Sequence, residues 1–223
     1  MDPDSGGRAR ILLINPNSNA ATTAMMVAIA KSAVTDASDI IGATATRAPS
    51  MIVSADALEA AAAEVAQIAR AHRDSCDGII VSAFGDPGLA AIKAALKIPA
   101  VGIGESSMLE AAEGGRRFGV ATTTPRLKAK IDALPDALGL RSRYTGSRFA
   151  DGDPLELMRD PARLCAALAG VVEACIAQDG AEAVIIGGGP LGEAARDLRS
   201  MFAVPVIAPI PSAAARIIRL ATA

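Results

Sequence analysis

Three segments of the chain recur in the same order about 106 residues later, and this duplication constrains the fold more than any single motif. The strand-like "RILLIN" with its turn "PNSNAATT" returns as "RFGVATTTPR" from Arg117. "DGIIVSAFGDPG" from Asp77 returns as "EAVIIGGGPLGE" from Glu182, and "IPAVGIG" from Ile98 returns as "VPVIAPI" from Val204. Each copy runs from an apolar strand through a turn towards a helix. Alternating strands and helices predict an α/β fold with a mostly parallel sheet covered on both faces. The repeat predicts two such doubly wound subdomains, related by a pseudo-two-fold axis. The expected division is a disordered tail over 1–9, a first subdomain over 10–115 and a second over 116–223. The C-terminal segment is free to cross back to the first.

Composition narrows the function. Aromatic residues make up 2% of the chain and there is no Trp. The core must therefore be Ala, Val, Ile and Leu, which suits helices packed closely on sheets. The net charge is −2, with no basic stripe and few rings for base stacking, so nucleic acid is not an expected partner. Apolar runs fall short of the ~20 residues of a membrane span, and the N-terminus does not read as a signal peptide. A cytoplasmic protein with no membrane partner is expected, and an Ala-rich surface helix suits a homo-oligomer. Three cysteines and one histidine show neither metal-ligand nor disulfide spacing, so no metal is expected. Gly187, Gly189 and Gly192 match the dinucleotide pattern in form. However, no acidic residue follows at the required distance, and Pro190 removes an N–H. No cofactor is expected.

Ligands of open α/β sheets bind beyond the carboxyl ends of the strands. The pseudo-axis should bring both sets of ends to one cleft. Its expected lining is Asn15, Asn17 and Ser18; Ala83, Phe84 and Gly85; Thr122, Thr123 and Thr124; and Gly187, Gly188 and Gly189. The "INPNS" and "ATTTP" turns lie at helix N-termini and suit a small ligand with a carboxylate or imide at each end. Asp86, in "GDPG", is expected to fix the turn. Glu105 is the remaining acid/base candidate, or else a charge at the start of its helix. Ser82 should alternate away from the cleft. Arg141, Arg143 and Arg148 read as solvated charges. Cys165 and Cys175 read as core, and Cys76 lies at the wrong end of its strand.

"ILLINPNS", "DGIIVSAFGDPGL", "IPAVGIGESS", "FGVATTTPR" and "AEAVIIGGGPL", in this order, resemble the aspartate/glutamate/hydantoin racemase superfamily, and within it the hydantoin and allantoin racemase branch. The resemblance runs from Arg10 over nearly the whole chain. It implies two α/β subdomains around a cleft, no cofactor, and small amino-acid-like or hydantoin-like substrates. It also implies two cysteines, one at each duplicated strand end, that exchange the α-proton from opposite faces. Those positions fall here on Ala83 and Gly188. The arylmalonate decarboxylase branch keeps one such cysteine, which is also missing. Ala208 stands where hydantoin racemases often have Asp. The expectation is thus an enzyme of this superfamily that does not use two thiols. The alternatives are a diverged lyase, decarboxylase or hydrolase, or a binder that lost the reaction.

Overall fold

The computed structural model describes residues 8–34 and 38–222; most of the expected tail, 1–7, lies outside the described residues. The first half holds β1 (Ala9–Asn15), α1 (Ala20–Ser32), β2 (Ser38–Thr44), α2 (Ala55–His72), β3 (Gly78–Val81), α3 (Leu89–Ala95), β4 (Ala100–Gly102) and α4 (Ile103–Ala111). The second holds β5 (Phe118–Thr122), α5 (Lys128–Ala137), β6 (Tyr144–Phe149), the short α6 (Pro154–Leu157), α7 (Pro161–Ala177), β7 (Ala183–Ile186), α8 (Gly192–Leu198), β8 (Val206–Ile207) and α9 (Pro209–Ala221). Each half forms a four-stranded parallel sheet, in the orders β2-β1-β3-β4 and β6-β5-β7-β8. The same order in both is the duplication seen in space.

The repeat persists at the level of single hydrogen bonds. The N–H of Arg10 donates to Asp77 Oδ2 at 2.7 Å, and the N–H of Arg117 to Glu182 Oε2 at 2.8 Å. At the other end of the strands, Ser82 N–H donates to the Ile14 carbonyl and Gly187 N–H to that of Ala121, at 2.9 and 2.8 Å. The central strands β3, β5 and β7 are buried at every position. Burial on both faces is why they read as unbroken apolar runs.

The helices do not stay with their own sheets. Ile210, Ala213, Ala214 and Ile217 of α9 share a core with Ile11, Met26 and Ile80 of the first half. Met108 and Ala111 of α4 pack with Phe118, Ile131 and Ile185 of the second. Each half therefore lends its last helix to the other. α2 and α3 cover the outer face of the first sheet, and α7 and α8 that of the second.

Several local expectations shift. β1 begins at Ala9, inside the expected tail. β4 is three residues rather than the 98–104 run, because α4 starts at Ile103. The cause is Asp86, whose carboxylate accepts the N–H groups of Gly104 and Glu105 at 2.8 and 2.7 Å. These are donors that a helix start leaves orphaned. Asn19 caps α1, accepting from the N–H groups of Ala21 and Thr22. Arg148 is not a free surface charge, since it makes a two-pronged contact with Asp179 at 2.6 and 2.8 Å. Cys175 is buried against β5, and burial pushes its thiol up to about 11. Cys165 is partly buried against the outer core of the second half. His72 ends α2 half-buried, its Nδ1 2.9 Å from the Ile68 carbonyl.

Candidate functional site

The carboxyl ends of β1, β3, β5 and β7 converge on one cavity of about 70 Å³. Its floor is built from Asn17; Ser82, Ala83 and Phe84; Thr122, Thr123 and Thr124; and Gly187, Gly188 and Gly189. Each group lies at or just beyond the carboxyl end of a buried strand. The space exceeds what a single water needs and is far below that of a nucleotide-sized pocket. The glycines let the two halves meet. A Cβ on Gly189 would lie 2.5 Å from Met26 Sδ and 3.0 Å from the Ser82 carbonyl.

The floor is rich in donors. Among the described residues, the N–H groups of Ala83, Phe84, Thr123, Thr124, Gly188 and Gly189 meet no acceptor within the chain. A ligand carbonyl oxygen would satisfy them. Most of the side-chain hydroxyls and amides are already committed. Ser82 Oγ donates to the Ile14 carbonyl at 2.8 Å, and Thr122 Oγ1 donates to the Gly187 carbonyl. Asn17 Oδ1 accepts from Asn15 Nδ2 and from the Asn19 N–H, at 2.8 and 2.9 Å. Thr123 and Thr124 remain as the hydroxyls best placed to serve a ligand.

Not every expected lining residue reaches the cavity. Asn15 is buried and spends its amide on Asn17, Asn19 and Thr23, so it holds the turn rather than a ligand. Ser18 is exposed, its N–H donating to the Pro49 carbonyl. Gly85 lies beside the lining with φ 113 and approaches Leu58. Ser82 borders the cavity, with its backbone carbonyl beside Gly189 and its side-chain hydroxyl turned to the Ile14 carbonyl.

Glu105 is also elsewhere. It is buried in the first turn of α4, with both carboxylate oxygens 2.7 Å from Lys93 Nζ and Arg216 at 3.8 Å. An ion-paired carboxylate outside the cavity has no route to a ligand proton. Asp86 does more than fix a turn. It takes φ 50 and bridges the end of β3 to the start of α4. Burial pushes its carboxyl up to about 7, against the two N–H donors and Lys93, which pull it down.

The two positions that the resemblance assigns to thiols differ in kind. Ala83 does not take a positive φ. Gly188 has φ 148 and ψ 133, a shape that favours glycine. No cysteine lies in the lining: Cys76 precedes β3 at the far end of the sheet, with its Sγ on the His72 carbonyl. Sequence reasoning missed the walls of the cavity. Met51, Ile52 and Leu58 close it from the first half, and Leu127, Met158 and Leu191 from the second. The loops "RAPSMIVS" and "ADGDPLELM" follow equivalent strands, so the duplication itself pointed to Ile52 and Met158.

Similarity to known proteins agrees with this architecture. The family model for Asp/Glu/Hydantoin racemase matches residues 11–217. A hydantoin racemase from Rhizobium meliloti is 31% identical over 198 residues, covering 88% of this chain and 82% of its own. An allantoin racemase from Klebsiella pneumoniae superposes with a TM-score of 0.89 at 27% identity, over 96% of this chain and 88% of that one. Another from Pseudomonas fluorescens gives 0.90 at 25% identity, over 96% and 91%. With both sheets, their shared cleft and its four strand ends in place, the chain belongs to the Asp/Glu/hydantoin racemase family.

Proposed function

We propose that this protein is a cofactor-independent enzyme that holds a small, uncharged hydantoin-like ring between the four strand ends and acts on it without two thiols. One observation carries the reading: among the described residues, no ionisable side chain lines the cavity. A dicarboxylate, or an amino acid with both charges, would have to shed its water there with no opposite charge to meet it. A neutral ring of alternating carbonyl and N–H groups needs only the free backbone N–H groups and threonine hydroxyls. The hydantoin and allantoin racemases among the relatives support a ring of this class.

Chemistry at such a site is demanding. Donors placed around a carbonyl stabilise the enolate left when the neighbouring carbon loses its proton. The proton itself must travel through a water held by Thr123 and Thr124, since the lining offers no stronger base. Replacing one positioned acid/base group by solvent costs ~10²–10⁴ in rate. Turnover well below that of a two-thiol enzyme is expected. The glycine-only backbone at Gly188 favours a second reading, in which the protein binds the ring and leaves it unchanged.

The test combines thermal unfolding with proton NMR in D₂O, across hydantoin, 5-substituted hydantoins, allantoin, aspartate, glutamate and a phenylmalonate. Protection by the neutral rings, with slow exchange of the ring proton that survives Glu105→Gln, is the expected outcome. Protection without exchange selects the binder. Protection by the charged compounds alone overturns the ring assignment.

A further inference from the structure

The two walls of the cavity are equivalent in the duplication but built differently. The wall after β2 carries Ile52, which packs against the core beside Leu58 and Phe84, and the loop leading to it is pinned to the body of the protein over 46–49. Glu64, buried on α2, accepts the Thr46 N–H, the Thr46 hydroxyl and the Arg47 N–H at 2.8, 2.9 and 3.1 Å. Ser18 N–H adds a bond to the Pro49 carbonyl of the same loop.

The wall after β6 carries Met158 at the end of α6. Among the described residues, every hydrogen bond of 151–160 stays between 153 and 164: Asp153 caps α6, Asp160 caps α7, and the turns between them close on themselves. Apolar contacts alone tie the segment to the core, through the buried Leu157 and the partly buried Met158. A segment whose bonds are all local moves without breaking bonds to its surroundings.

The side chains match their settings. Isoleucine is branched at Cβ and stiff about its first torsion. Methionine is unbranched, with three rotatable bonds, and refills irregular space. On the reading that the cavity holds a substituted ring, we infer that Met158 sets the size of the substituent accepted. The 151–160 wall adjusts to the ligand while the Ile52 wall stays fixed.

The test uses the full chain with 5-methyl-, 5-isobutyl- and 5-benzylhydantoin, with affinities from calorimetry. Met158→Ala should raise the benzyl-to-methyl affinity ratio about tenfold, the scale of a missing group in an apolar pocket. Ile52→Ala should weaken all three together and leave the ratio within about threefold. Met158→Leu, nearly volume-neutral, keeps the test alive if the alanine variant folds poorly, and should reorder the series by less. Amide exchange should slow in 151–160 on binding the benzyl compound and change little in 45–54. A ratio that moves with Ile52 and not with Met158 overturns the inference while leaving the ring assignment standing. Failure of the unaltered protein to bind any of the three overturns both.

Discussion

The two halves share a strand order and a set of ladder bonds, yet they finish their central strands in opposite ways. After β3, the chain uses charge: Asp86 adopts φ 50 and lays its carboxylate across the start of α4. After β7, it uses glycine, with Gly188 at φ 148. The helix equivalent to α4, α9, starts on Pro209 and Pro211 with no side-chain cap. Proline at the first turn needs no partner for its missing N–H. The fold is thus held in common by the apolar strands and the topology, while each half solves the same turn with its own chemistry.

That contrast can be broken experimentally. The largest effect is expected at Asp86. Asp86→Ala strands two buried N–H groups and should cost about 2–5 kcal/mol by denaturant unfolding. Its ionisation also gives a pH signature. Because burial raises the folded-state value to about 7 from the ordinary carboxylate range, the folded protein holds the proton more tightly. The stability this group contributes is full below about pH 4 and is lost as pH rises through about 7. The stability difference between the unaltered protein and Asp86→Asn should therefore shrink from pH 5 to pH 8. A flat or rising difference would show that the two amides outweigh burial.

Next come the paired positions in the floor. Gly188→Cys places a side chain at a backbone shape that disfavours it, with its Cβ 3.1 Å from Leu191, and should cost about 1–3 kcal/mol. Ala83→Cys extends a half-buried alanine towards open cavity and should cost less than about 1 kcal/mol. Equal costs would remove the argument that the second turn has been rebuilt around glycine. The smallest effect tests what the halves still share. Asp77→Ala and Glu182→Ala each remove one carboxylate from a strand-end N–H, and each should cost roughly 1 kcal/mol. A clear inequality would mean that the symmetry of the ladder is geometric and not energetic.

The sheets were legible because burial on both faces writes itself into β3, β5 and β7 as continuous apolar runs, and because the repeat fixed their order. The floor was legible for the same reason: residues just past a strand end have few places to go. Of the two readings open for Glu105, its place in the first turn of α4 and its pairing with Lys93 match the charge at a helix start. The walls escaped notice because Met51, Ile52 and Met158 sit in loops, where apolar side chains carry no periodic signal. Their role depends on which strands the loops follow, which only the duplicated topology reveals.

The exchange of α4 and α9 also bears on how such a chain came to exist and how it can be taken apart. Either half expressed alone would expose the sheet face that its sibling's last helix covers, and so would be prone to self-association. Mixed together, the two fragments hold everything needed to regenerate the whole. A pair of identical ancestral chains trading their C-terminal helices would have had the same architecture, with a symmetric cleft at the dimer axis. Joined end to end, the copies became free to differ, and one cleft could then acquire a rigid side and a yielding one.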